Sequence, residues 1–179
     1  MTASLLLELT HLYQEPHRHY HSLEHIAAML HAGRDAGLDD VQTMAVWFHD
    51  AVYDPRSKSN EEASAALAGD RLRSAGWDHG DVERVQRIVL DTKSHMATTP
   101  GAELVLDLDL MSLAAPWPEF SRNTLRIRAE YAHVGDAEFA AGRATFFRTM
   151  LQRDRLFLTA FGQPWEEPAR ANLRRAANN

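Results

Sequence analysis

The sequence predicts an all-α chain that folds as a single-domain helical bundle, and three observations carry that expectation. Apolar residues recur at helical spacing along most of the chain, with breaks at Gly and Pro. No segment alternates with the period of two that marks a half-buried strand. The length, 179 residues, is that of one domain and is enough to bury on the order of 70% of the unfolded surface.

The elements follow in chain order. Residues 2–14 read as a first helix, ended by Glu15-Pro16. Residues 19–36 form a second, stopped at Gly37. Asp39-Asp40 opens a third through about Tyr53, with acidic residues at its favourable N-terminal end. Asp54-Pro55-Arg56-Ser57 is a loop. Asn60 caps a fourth helix that reaches Ala75-Gly76, with Glu61 and Glu62 in its first turn. Residues 81–92 place Val82, Val85, Ile88 and Val89 at helical spacing. Pro100-Gly101 starts a sixth stretch through Leu113, and residues 118–133, 136–153 and 168–177 complete the chain. The whole, 1–179, reads as one domain with a core of about 13–113 and C-terminal helices over 118–179 packed on it.

Composition narrows the function classes. Hydrophobic residues make up 45%, and 19 basic residues stand against 25 acidic, a formal charge of -6. That fraction is too high for disorder, and the charge argues against a nucleic-acid polymer as partner. There is no cysteine, hence no disulfide framework, thiolate metal site or cysteine nucleophile. Residues 1–9 carry no basic start and a short apolar run broken by Glu8, unlike a signal peptide. No stretch approaches a membrane span, so a cytoplasmic protein without a membrane partner is expected. Ten histidines stand out, five of them (His11, His17, His19, His21, His25) within the first 25 residues.

Two helices depart from an ordinary surface pattern. On the second, Leu23, Ile26, Ala27 and Leu30 line one side, while His21 and His25 lie about 40° apart on the other. That other side continues with Ala28, Met29 and Ala32, so this helix is expected to be sandwiched. The third is apolar around most of its circumference from Met44 onward, as central helices are. The only ionisable pair in that buried stretch before Tyr53 is His49-Asp50. A buried carboxylate demands a cation, a strong donor or a metal.

His21, His25, His49 and Asp50, with the acidic pair in Leu106-Asp107-Leu-Asp109-Leu, therefore form the leading constellation. Imidazole and carboxylate suit Zn, Fe, Mn, Co or Ni, and carboxylates also Mg. Taken one at a time, these residues are as well explained by satisfied core polar groups or helix caps; the set together points to a metal. His21-Ser-Leu-Glu24-His25 also fits the inverted zinc-protease motif H-x-x-E-H, with Glu103 as a third ligand. That motif leaves His49-Asp50 unexplained and lacks strands for a peptide edge. Basic groups near the same centre, Arg18 and the Lys93 and His95 of Asp91-Thr-Lys-Ser-His95, suit phosphate oxygens. Arg170, Arg174 and Arg175 read as helix-end charge. No phosphate-loop, dinucleotide or nucleophile-elbow motif is present.

Arg18-His-Tyr-His21-Ser-Leu-Glu-His25-Ile, Trp47-Phe-His49-Asp50-Ala-Val-Tyr53, Asn60-Glu61-Glu62-Ala-Ser-Ala65 and Leu106-Asp-Leu-Asp109-Leu occur in that order. Together they resemble the HD-domain superfamily, and within it the small stand-alone bacterial proteins regarded as metal-dependent phosphohydrolases. The resemblance runs from about Tyr13 to Leu113, with weaker similarity through Arg143, Arg153 and residues 167–172. It implies a bundle of the HD-domain type holding a divalent cation through His49, Asp50 and Asp109, with Asp107 second to Asp109. The leading histidine is His21, with His25 a further ligand, and His95 is a candidate for a second metal.

The expected activity is hydrolysis of a small phosphorylated substrate, a nucleotide or related metabolite. Asp50 would orient the water, Glu61 would act as acid or base, and Arg18, Lys93 and His95 would bind substrate. The same fold also hosts diiron oxygenases and non-catalytic metabolite-binding modules. The same residues are compatible with Mn, Mg, Fe, Co, Ni or Zn in one or two copies, and the chain with a homo-oligomer.

Overall fold

The structure, a computed structural model, describes residues 2–177. Among them are nine α-helices, two 3-10 turns and no strand, so the fold is all-α. The chain divides into two compact units, Met1–Leu106 and Asp107–Asn179. The division falls inside the sixth helix.

The first unit holds α1 (Ala3–Leu12), α2 (Leu23–Ala36), α3 (Asp40–Phe48), α4 (Asn60–Ser74), α5 (His79–Thr92) and the start of α6 (Ala102–Leu110). The expected central role of α3 is found. Met44 to Phe48 are all buried, and α3 packs against α2, α4 and α5. Its start is fixed by a capping box, in which Asp39 accepts from the Gln42 amide and the Gln42 side chain accepts from the Asp39 amide. Its end comes earlier than expected, at Phe48, with His49 as C-cap rather than a helix through Tyr53. Helices α4 and α5 form a hairpin around Gly76, whose φ of +78° is a left-handed conformation suited to glycine. Small residues Ala65, Ala68 and Gly69 keep the pair close, and Gln86 donates to the Ala65 carbonyl across it at 2.9 Å.

Three local expectations are corrected. Helix α2 begins at Leu23, not His19, because residues 19–22 form a bend. It is also one-sided. His25, Ile26, Met29 and Gly33 are its buried residues, whereas Ala27 and Ala28 are exposed. Asn60 is the first residue of α4 rather than its cap, which is Ser59. The Asn60 amide instead pins the preceding loop, donating to the Asp54 carbonyl at 2.9 Å and accepting from the Asp54 amide at 3.0 Å.

The second unit holds the rest of α6, a 3-10 turn over Met111–Ala114, α7 (Trp117–Glu130), α8 (Asp136–Leu151), a second 3-10 turn over Gln163–Trp165, and α9 (Glu166–Ala177). The 3-10 turn replaces the end of the helix expected to reach Leu113. Phe120, Phe147, Met150, Leu156, Phe157 and Leu173 build its core. Glu166 and Arg170 secure the loop before α9. Glu166 accepts from the Leu156 and Phe157 amides, and Arg170 donates to the carbonyls of Leu151, Arg153 and Asp154. No described helix is long and apolar enough to cross a membrane.

Candidate metal centre

Helix α3 delivers His49 at its C-terminus, where the ring is 2% exposed. The His49 Nδ1 lies 2.9 Å from the Val46 carbonyl oxygen. A carbonyl only accepts, so Nδ1 carries the hydrogen and the other nitrogen, Nε2, is the one available to a metal. This is the arrangement typical of ligating histidines, whose second N–H is held by a carbonyl or carboxylate. Nε2 stands 3.1 Å from Asp50 Oδ2. With Nδ1 as donor, a neutral ring would turn a lone pair toward a carboxylate. Only a positive charge, a proton or a bound cation, makes that contact attractive. The C-terminal end of α3 adds the negative end of the helix dipole.

His25 comes from the first turn of α2, is 7% exposed, and has its ring centroid 5.4 Å from that of His49. Asp109 comes from α6, which starts in the first unit with Ala102, Val105 and Leu106 buried. One ligand atom from each of His25, His49 and Asp109 lies within 4.8 Å of the others. Two imidazoles and a carboxylate converging on one point, two of the three buried, fit a divalent cation. The donor set favours Mn, Fe, Co, Ni or Zn over Mg. Asp50 stands outside this trio, 17% exposed beside His49.

The expected leading ligand, His21, is not in the trio; His25 is. Spacing alone puts both on one helix, but the bend over residues 19–22 detaches His21 from α2. Its ring packs 4.5 Å from Tyr53 and 6.4 Å from His25, centroid to centroid. Tyr20, which sequence reasoning passed over, packs 4.9 Å from His21 and 5.2 Å from His25.

Asp107 and Asp109, two residues apart on a helix, point about 200° apart around its axis. Asp107 is fully buried and accepts from the Leu158 amide at 2.6 Å, the Thr159 amide at 2.8 Å and the Thr159 hydroxyl at 2.6 Å. Burial pushes its pKa up against these donors. Of the two acids, Asp109 lies with His25 and His49, and Asp107 does not.

The residues expected to touch substrate are placed differently from one another. The Arg18 side chain is wholly enclosed and bonded to backbone carbonyls, so it does not present its guanidinium to a phosphate. Lys93 is half-exposed and belongs to a surface ion cluster. Its ammonium donates to Glu62 and to the Lys58 carbonyl and lies 3.7 Å from Glu61. Glu62 raises the Lys93 pKa, and Lys93 lowers that of Glu62. His95 follows α5 with a φ of 50°, in the left-handed region that non-glycine residues seldom enter. Neither His95 nor Glu61 belongs to the trio. The buried Asp91, with no role assigned from sequence, binds the Thr98 and Thr99 amides and closes the loop containing His95.

No protein-family model, curated protein or solved structure matches this chain.

Proposed function

We propose that the chain is a metal-dependent phosphohydrolase acting on a small phosphorylated metabolite of the nucleotide class, with His25, His49 and Asp109 as ligands. The observation that carries this reading is the convergence of the trio within 4.8 Å, with Asp50 3.1 Å from His49. The order H…HD…D in the sequence supports it independently. Held by His25, His49 and Asp109, a divalent cation would supply polarisation of a phosphoryl oxygen and a bound water with a pKa nearer neutrality.

The chain's own residues do the rest. His49 keeps its ring oriented through Nδ1 and the Val46 carbonyl. Asp50, whose Oδ2 lies 3.1 Å from His49 Nε2, would orient the attacking water and take its proton. Charge on the substrate phosphate has to be met by groups other than Arg18.

The test is phosphate release from a panel of nucleotides and other phosphoesters with Mn, Mg, Co, Fe, Ni or Zn added. Release with at least one metal is expected, abolished by chelator and by Asp109→Asn and restored by metal. If no metal supports hydrolysis of any member, the proposal fails.

A further inference from the structure

The enclosed guanidinium of Arg18 has no part in the proposed reaction, yet it is the most fully bonded cation near the centre. Its side chain has zero exposure. Nε donates to Glu15 Oε2 at 3.0 Å. Nη1 donates to the His21 carbonyl at 3.0 Å and the Asp50 carbonyl at 2.7 Å, and Nη2 to the Ala51 carbonyl at 2.9 Å. Four of the five N–H donors are thereby used. The guanidinium carbon also lies 5.0 Å from the Tyr13 ring centroid and 5.4 Å from that of Tyr53, within cation–π range of both.

These contacts join two segments that the chain separates by about thirty residues: the bend leading into His25, and the turn carrying His49 and Asp50. The carbonyls of Asp50 and Ala51 belong to the turn that leaves α3. They lie just beyond the helix, whose own last carbonyls are met by the His49 and Ala51 amides, the His49 ring and the Tyr13 hydroxyl, so Arg18 holds the turn rather than the helix end. His17 adds a parallel tie, its Nε2 lying 2.8 Å from the Tyr53 carbonyl oxygen.

We infer that Arg18 is a positioning residue for the metal centre, holding the His49-Asp50 turn and the entry to α2 in the ligating arrangement before any cation arrives. This rests on the metal-centre reading above. Only a planar fork spans these acceptors at once; an ammonium at the end of a lysine makes fewer of the bonds and in other directions.

The probe is Co²⁺, read by its visible absorption and by titration, on wild-type protein, Arg18→Lys and Leu72→Ala. Leu72 is a fully buried α4 residue outside the candidate ligand set, and its truncation destabilises the same unit. Wild type is expected to bind Co²⁺. Arg18→Lys is expected to bind it 10- to 100-fold more weakly, the usual scale for losing outer support of a ligand, with a changed band shape. Leu72→Ala should lower the melting temperature and keep wild-type affinity and spectrum.

Hydrogen exchange on wild type supplies a readout that needs no variant. The amides of His49, Ala51 and Val52 bond to Ala45 O, Phe48 O and Ser64 Oγ. They should be protected without metal and change little when Co²⁺ is added. Absence of Co²⁺ binding by wild type would overturn the metal reading itself. With wild type binding, three results would each overturn the role of Arg18 alone: unchanged affinity in Arg18→Lys, an equal loss in Leu72→Ala, or protection of the 49–52 amides that appears only with cobalt.

Discussion

Asp107 and Asp109 belong to one short apolar run, yet their substitution should break different properties. Asp107→Asn replaces one acceptor oxygen by an NH2 group facing the donors of Leu158 and Thr159. Hydrogen bonds to a charged partner contribute about 1.5–3 kcal/mol each, and a donor left without an acceptor costs about 1–3 kcal/mol. Burial of the carboxylate more than offsets the part of that gain that depends on its charge, which leaves its pKa raised, so the loss comes chiefly from the donor left unpaired. The expected net loss is about 1–3 kcal/mol, measured by urea denaturation. Because burial raises the Asp107 pKa, the folded chain binds this proton more readily than the unfolded chain. The group's contribution to stability therefore falls as pH rises from the ordinary aspartate value through the raised one, and levels off above it. The deficit of Asp107→Asn should shrink as pH climbs through that window. Its Co²⁺ affinity should stay within about threefold of wild type. Asp109→Asn should do the reverse, losing tenfold or more in Co²⁺ affinity with a stability change under about 1 kcal/mol. If Asp107→Asn loses metal while keeping its stability, the division of labour drawn from the helix geometry is wrong.

The surface pair Glu8–Arg71 makes a smaller, pH-dependent contribution. Arg71 holds the Glu8 carboxyl below the ordinary glutamate value through bonds of 2.7–2.9 Å. That contribution is complete above the ordinary value and is lost as pH falls through the lowered one. With both side chains well exposed and screened by water it is small, so Glu8→Gln should slightly flatten the acid limb of a stability–pH profile. In the second unit, Asn172 donates to the carbonyls of Leu113 and Ala115, both at 2.8 Å. Asn172→Asp turns this donor into a charge facing two acceptors and should cost about 2–4 kcal/mol near neutral pH, whereas Asn172→Ala should cost about 1–3 kcal/mol in the same unfolding assay.

Helix count and order were legible because the punctuation is local. Asp39 with Gln42, Gly37 and Gly76 act within a few residues of themselves, and the structure uses them at the expected joints. The buried stretch of α3 was legible for a similar reason, since apolar residues on every side of a helix leave it nowhere to go but the interior. What the sequence could not show depends on long-range partners. The start of α2 is delayed by a bend whose His21 carbonyl is held by Arg18, and Arg18 is held in turn by residues some thirty positions away. That bend moves His21 off the helical face shared on paper with His25. Asn60 looks like a cap until the loop at Asp54 is in place to receive its amide. Of the site itself, His25, His49 and the Asp107–Asp109 pair stood in the constellation drawn from residue type, with His21 placed ahead of His25, while the choice of Asp109 over Asp107 came from the family resemblance. The enclosure of Arg18 was hidden, because an arginine before a histidine-rich stretch reads equally well as a phosphate ligand.

If His25, His49 and Asp109 hold a divalent cation, elemental analysis of untagged protein will find it. Close to one first-row transition metal per wild-type chain is expected after purification or reconstitution. His49→Gln should contain less than a tenth of that while keeping its helical circular dichroism. A wild-type chain that retains no stoichiometric metal after reconstitution, or a His49→Gln variant that retains as much as wild type, would contradict it.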